Sequence, residues 1–517
     1  MYAAPPLPLL AAALLGASSF LSRAAAQNLS SGQIQAVKDN LWLAAQQTWE
    51  IGTEAEALIE SDASAYSVFY DASIPPPTGQ SINDPYNYTA LRPVLQIAYN
   101  AAAARSNSTG AQPIWYVEGG AAGDPASMGV AILIANWTGA PQPQLNVALN
   151  ASTPKGVSLG TGVSYDRAAR EQVEYLLNDV PRTDDGAISH RIEQVQLWAD
   201  SVYMVPPFLA YYGVLTGNQT VVQEAYQQIK LYRSHLFDKN ESLWKHILLG
   251  NGSVDPGFWS TGNAWAAAGM ARVLATIQHS QYASQMKSEI SDLKSWIVEI
   301  HDGMYKLQDT DTALFHNYAN ETNSTDTGKS FLEASSTALL ASTVYRLALL
   351  QNVHTHVPNA ERARKALSAT SQDGNKSFPP FSSWGTGDGV GPATSFTETR
   401  PSSATASGAS GSSSTSTTTT PSGTSSFSVP TPSAGVGSSM THFSPEMWLT
   451  PVVDPYNWAA QGGSSPEGQA FIVELYAAYQ DWAAQGSPGV NAALRPGVGA
   501  RWSAAVAGAV ALVMFAL

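Results

Sequence analysis

The stretch ISHRIEQVQLWADSVYMVPPFLAYYG, residues 188–213, holds a loop, one acid among aromatics and the start of a helix. Pro206 and Pro207 fit only before a helix or in its first turn, because proline has no amide hydrogen to give. The apolar run after them predicts a helix over 202–216, so residues 200–204 form a loop-to-helix junction. Asp200 stands at that junction between Trp198 and Tyr203. Apolar neighbours strip water from a carboxylate and raise its pKa, which is what a general acid requires. An aspartate at a helix start can instead accept backbone N–H bonds, which lowers its pKa. Position alone leaves both open.

Outward from this stretch, most of the chain reads as helix. Amphipathic or apolar runs occur near 33–47, 49–60, 91–105, 124–137, 166–179, 202–216, 221–234, 263–278, 283–300, 333–350, 360–369 and 466–483. Asp124-Pro125, Asp166, Asn263 and Ser465-Pro466 suit helix starts, and Thr138-Gly139 and Thr216-Gly217 suit helix ends. Strand-like text such as IWYVEG is short and rare. Twelve helices make six antiparallel hairpins. The expectation is an all-α fold, an (α/α)6 barrel with an inner and an outer ring around an axial pit. An open stack of helix pairs would show a strict repeat, and none is evident.

Composition narrows the function. Only 13% of the 517 residues are charged and the net charge is −14, so no basic stripe exists to neutralise phosphates, and nucleic acid is excluded as a partner. The chain has no cysteine and therefore no disulfide framework. Residues 401–440 are almost wholly Ser, Thr, Gly, Pro and Ala, which reads as a disordered, stalk-like insertion within the last hairpin. The folded domain is then 27–400 plus 441–485.

Both ends carry targeting features. LPLLAAALLGASSFL followed by AAA at 24–26 reads as a secretory signal peptide, residues 1–26. The apolar tail 502–517, a spacer before it and small residues at Asn491–Ala493 read as a glycosylphosphatidylinositol (GPI) anchor signal in 486–517, with Asn491 as attachment site and membrane as the resulting partner. Gly486-Ser487 is the alternative site. Eleven Asn-x-Ser/Thr sequons, from Asn28 to Asn375, agree with secretion to the cell surface or wall.

No phosphate-cradling glycine loop, metal-ligand spacing or nucleophile elbow occurs, so neither metal nor cofactor is expected. On spacing alone His190, His246 and His301 are ordinary core or surface histidines. FWSTGNAW, 258–265, repeats the aromatic theme, with Trp259 and Trp265 flanking a turn that opens a helix. Paired indoles suit stacking on sugar rings, and core packing explains tryptophans equally well.

Here the sequence resembles a family. DGAISHR (185–191), LWADSVYMVPPFLAYYG (197–213), LWKHILLG (243–250), FWSTGNAWAAAGMARVL (258–274) and FLEASSTALLASTVYRLA (331–348) follow in order the landmarks of the unsaturated rhamnogalacturonyl hydrolases, glycoside hydrolase family 105, related to family 88. WEIGTEAEALIE and SPEGQAFIVELYAAY look similar as well. The resemblance implies a six-hairpin glycosidase without cofactor that hydrates the C4=C5 double bond of an unsaturated uronyl residue on an oligosaccharide. It implies Asp200 as the catalytic acid and Asp124 as a second acid in the pit. Trp198, Tyr203, His190, His246, Trp259, Asn263 and Trp265 become substrate contacts.

One departure stands out. Where the family carries arginine in the Trp-x-Arg-x-Asn-x-Trp turn, this chain has Thr261. Either another cation, with Arg191 and Lys245 as candidates, meets the uronate, or the substrate differs. The alternatives are thus an (α/α)6 hydrolase of another wall glycan, with Asp200 and Asp124 as an inverting pair, or a catalytically silent glycan-binding protein.

Overall fold

A computed structural model describes residues 28–77, 88–115, 120–142, 162–322, 325–370, 437 and 439–490. The expected signal peptide, most of the Ser/Thr-rich insertion and residues 491–517 of the anchor region, Asn491 among them, lie outside the described residues.

Among the described residues, twelve helices of nine or more residues lie close to the runs read from sequence. They are α1 (Ser31–Ala44), α2 (Thr48–Asp62), α3 (Arg92–Ala104), α4 (Gly129–Trp137), α5 (Tyr165–Asn178), α6 (Pro206–Leu215), α7 (Gln219–Leu236), α8 (Ser260–Gln278), α9 (Lys287–Lys306), α10 (Ala334–Gln351), α11 (Val357–Leu367) and α12 (Pro466–Ala484). Even-numbered helices pack side by side in the order α2, α4, α6, α8, α10, α12, and α12 closes back on α2. Each odd-numbered helix packs outside this ring against an even-numbered one. This is the (α/α)6 barrel.

The two rings differ in sequence for a physical reason. An outer helix meets solvent on one side, so α5 and α7 alternate apolar and polar faces. An inner helix has neighbours all round, and α8 is buried from Ser260 to Ile277. Small residues let such helices close around an axis. Gly269 of α8 lies against the backbone of Val202, where an added Cβ would sit 2.1 Å from the carbonyl oxygen. The Thr-Gly helix ends behave as expected, with Gly139 at φ 67° and Gly217 at φ 68°.

Loops that run from an outer helix to the next inner one gather at the N-terminal end of the inner ring. Four two-stranded ribbons stiffen them: β1 (Leu197–Trp198) with β4 (Ile247–Leu248), β2 (Phe237–Asp238) with β3 (Leu243–Trp244), β5 (Phe315–His316) with β6 (Leu332–Glu333), and β7 (Val452–Asp454) with β8 (Asn457–Gly462). Thr370 pairs with Met440 across the insertion. Met440 is buried, so the folded wall takes in a residue that composition assigned to the insertion.

Candidate active site

The β1–β4 ribbon sets the first two residues of the site. Trp198 pairs with Ile247, and the amide of Ala199 donates to the carbonyl of His246 at 2.9 Å. Asp200 and His246 therefore face one another. Asp200 occupies the cap position of the turn Ser201–Met204, yet its side chain makes no cap hydrogen bond, so the cap alternative is not taken. Its Oδ2 lies 3.5 Å from His246 Nε2, and neither buried atom has a hydrogen-bond partner. Burial pushes the Asp200 carboxyl up. His246 and the residue's own amide oppose this, and Asp255 reinforces it.

Behind His246 stands a second acid. His246 Nδ1 is 2.9 Å from Asp255 Oδ2, which also accepts the Tyr318 hydroxyl at 2.5 Å, while the Gly257 amide donates to Oδ1 at 3.1 Å. Burial by itself would raise the Asp255 pKa, but bonds from His246, Tyr318 and Gly257 hold it below the usual value. An ionised carboxylate only accepts, so Nδ1 carries a proton, and whenever Nε2 carries none its lone pair faces Asp200. A protonated Asp200 can donate to that lone pair.

On the other side, Asp124 opens the short turn Asp124–Met128 before α4, with Oδ1 4.0 Å from His190 Nδ1. The same nitrogen is 2.7 Å from Ser201 Oγ. Burial, then the charges of Arg191 and His246, hold His190 well below the usual histidine pKa, so its ring is neutral. It stacks on Trp198 at 4.5 Å between centroids. Trp198 and Trp458 each meet His246 edge-on, and Trp259 lies 4.4 Å from it. The indole N–H groups of Trp198 and Trp259 are bound by Gln196 (2.7 Å) and Asn317 (2.9 Å), which fixes the rings.

The structure thus brings together Asp200, Asp124, His190, His246, Trp198 and Trp259. Three expected contacts are corrected. Tyr203 points into the barrel core, where its hydroxyl donates to Glu474 at 2.7 Å. Trp265 packs on Tyr203 and Phe471 in the same core. Asn263 has no exposed surface, because its side chain clamps β3 to the start of α8 through the backbone of Trp244 and Trp259. A helix begun at Ser260, one turn earlier than expected, turns Asn263 inward. Lys245 pairs with Asp238 at 3.5 Å, and Arg191 Nε bonds Glu193 at 3.0 Å, so both candidate cations already have a carboxylate partner. Thr261 is buried, and its Oγ1 has no partner.

Sequence reading missed Asp255, Asn317, Tyr318 and Trp458. The Asp-Pro-Gly just before FWSTGNAW was the one local signal for Asp255. Trp458 follows the long insertion and carries no local signal. Among the described residues no cluster of His, Asp or Glu has the grouping to hold a metal ion.

An acid pushed toward its protonated form, framed by three indoles at the mouth of a six-hairpin barrel, defines a glycosidase. The chain is similar to glycoside hydrolase families 88 and 105. The Glycosyl Hydrolase Family 88 model matches residues 161–384. The unsaturated rhamnogalacturonyl hydrolase YesR of Bacillus subtilis (strain 168) is 24% identical over 265 residues, 47% of this chain and 71% of that protein. A possible GH105 member from Salmonella enterica serovar Paratyphi A superposes with a TM-score of 0.54 at 16% identity, over 87% of this chain and 93% of that one. One from Klebsiella pneumoniae does so at 0.52 and 15%, over 88% and 94%. At such identities the two structures speak for the fold.

Proposed function

We propose that the enzyme removes an unsaturated galacturonyl residue from pectin-type oligosaccharides by hydrating its C4=C5 double bond. One observation carries this reading: the buried Asp200 carboxyl, raised in pKa, with Oδ2 3.5 Å from His246 Nε2 and no hydrogen bond on that oxygen. The double bond is an enol ether. Asp200 delivers its proton to C4, and the ring oxygen stabilises the cation left at C5. Water adds at C5 and returns a proton to the Asp200 carboxylate. The hemiketal opens to a 5-keto sugar, and the hemiacetal left at C1 collapses to release the neighbouring sugar. Trp198, Trp259 and Trp458 support the ring faces. YesR, named as an unsaturated rhamnogalacturonyl hydrolase, agrees with a galacturonyl substrate.

Loss of the double bond's ultraviolet absorbance from unsaturated galacturonyl-rhamnose tests this directly. Asp200→Asn keeps the shape and removes the acid, and the rate should fall by about 10²- to 10⁴-fold. Activity should decline on the alkaline limb, since a general acid fails as pH rises through its pKa. Wild-type protein that leaves the absorbance unchanged would sink the proposal.

The same reading places the enzyme outside the cell on a GPI anchor, supported by the apolar segments near both ends and by sequons. Asn107, Asn136, Asn218, Asn240, Asn251 and Asn320 are exposed, whereas Asn28 is engaged by Arg364 and Tyr479. Release of cell-bound protein by phosphatidylinositol-specific phospholipase C is the expected result, and retention counts against the anchor.

A further inference from the structure

The pit is acidic. Asp255 and Asp124 line it beside the protonated Asp200 and His190 is neutral, so a uronate entering it meets like charge unless a cation faces it. Thr261 supplies none, and Arg191 and Lys245 are paired elsewhere. Arg272 is committed to carboxylates in the core.

We propose that Lys329 is the residue that binds the substrate carboxylate; this rests on the uronyl reading above. Its ammonium lies 5.2 Å from the centre of the Tyr318 ring, whose hydroxyl is bound to Asp255. Lys329 is half-buried, and its ammonium holds no carboxylate among the described residues.

Its backbone is fixed to two walls of the pit. The Lys329 carbonyl accepts the Tyr318 amide at 2.9 Å. Asn317 Nδ2 donates at 2.8 Å to the carbonyls of both Gly328 and Trp458, while its Oδ1 accepts the Trp259 indole. Gly328 presses so closely on β8 that an added Cβ would sit 1.7 Å from the Ala459 carbonyl oxygen. The short turn Thr327–Ser330 is therefore pinned between Trp259 and Trp458, and only the flexible stem of Lys329 is left to move.

The consequence concerns specificity. A guanidinium grips a carboxylate in a fixed two-point fork, whereas an ammonium is a point charge on a mobile stem. Binding through Lys329 holds the uronate by charge rather than by fork geometry, so uronates that differ in the orientation of the carboxylate are accepted alike.

The test compares unsaturated galacturonyl-rhamnose with its methyl ester. Lys329→Met keeps the stem over Tyr318 and removes the charge. The ratio of kcat/KM for the acid over the ester should fall by about 10- to 100-fold, the range for losing a charged hydrogen bond, and Lys329→Arg should restore most of it. An unchanged ratio in an active enzyme overturns the role of Lys329 and leaves the proposed reaction standing. If wild-type protein turns over neither substrate, that reaction fails instead, and calorimetric binding of galacturonate against its methyl ester decides Lys329 alone. Loss of the preference for the acid in Lys329→Met supports the assignment, and an equal preference ends it.

Discussion

Glu60 and Asp200 are both buried carboxylates in one barrel, and their surroundings differ sharply. Glu60, deep in α2, accepts Arg272 at 2.5 Å on one oxygen and Arg346 at 2.8 Å on the other. Arg272 also reaches Glu474 at 3.2 Å, and Glu474 takes the Tyr203 hydroxyl. Four inner helices are tied by this network. Asp200 has one imidazole at 3.5 Å and nothing else on Oδ2. Burial is opposed by opposite charge in the first case and left largely unopposed in the second. A charge-paired network locks the helices, while an acid with no partner on Oδ2 keeps a proton it can give away. Tyr203, three residues from Asp200, belongs to the locked region and marks how close the two lie.

The comparison breaks most visibly at Arg272. Arg272→Met strands buried carboxylates on three sides, and chemical denaturation should show a loss of about 3–5 kcal/mol. Asp200→Asn in the same assay should be neutral or stabilising, because no partner is lost. Equal destabilisation by both would erase the distinction.

A smaller effect is expected at the back of the pit. In Asp255→Asn the amide can donate to His246 Nδ1 and so displace the proton to Nε2, facing Asp200. The turnover rate should drop by about 10- to 100-fold, the worth of a charged hydrogen bond. Asp255 also helps to hold the Asp200 pKa up, so its neutralisation should move the alkaline limb toward lower pH. A limb that stays in place would show that the two acids do not communicate.

The smallest effect concerns the locked region and pH. Burial lifts Glu56 and Glu474 to about 7, against the pull of Arg272. Between the unfolded value of 4.5 and about 7 the native state binds more protons than the unfolded one. Stability from these groups is therefore complete at acid pH and declines as pH rises through 7. Glu56→Gln should flatten that decline in melting curves recorded from pH 5 to 8. An unaltered slope would remove Glu56 from the account.

Sequence by itself determined the barrel, because an inner helix and an outer helix face different surroundings and carry different residue patterns over many turns. It also marked Asp200, His190, His246, Trp198 and Trp259, which sit in ordered motifs at helix starts. Side-chain direction was not legible: Tyr203, Asn263 and Trp265 share those motifs and turn inward, since one residue along a helix rotates a side chain by about 100°. Asp255, Tyr318, Lys329 and Trp458 come from three loops of the chain, and only the side-by-side packing of α8, α10 and α12 in the inner ring brings those loops to one mouth. Local chemistry fixed which segments would be helices and where an acid would sit; the charge and hydrogen bonds around that acid depend on groups that meet through packing alone.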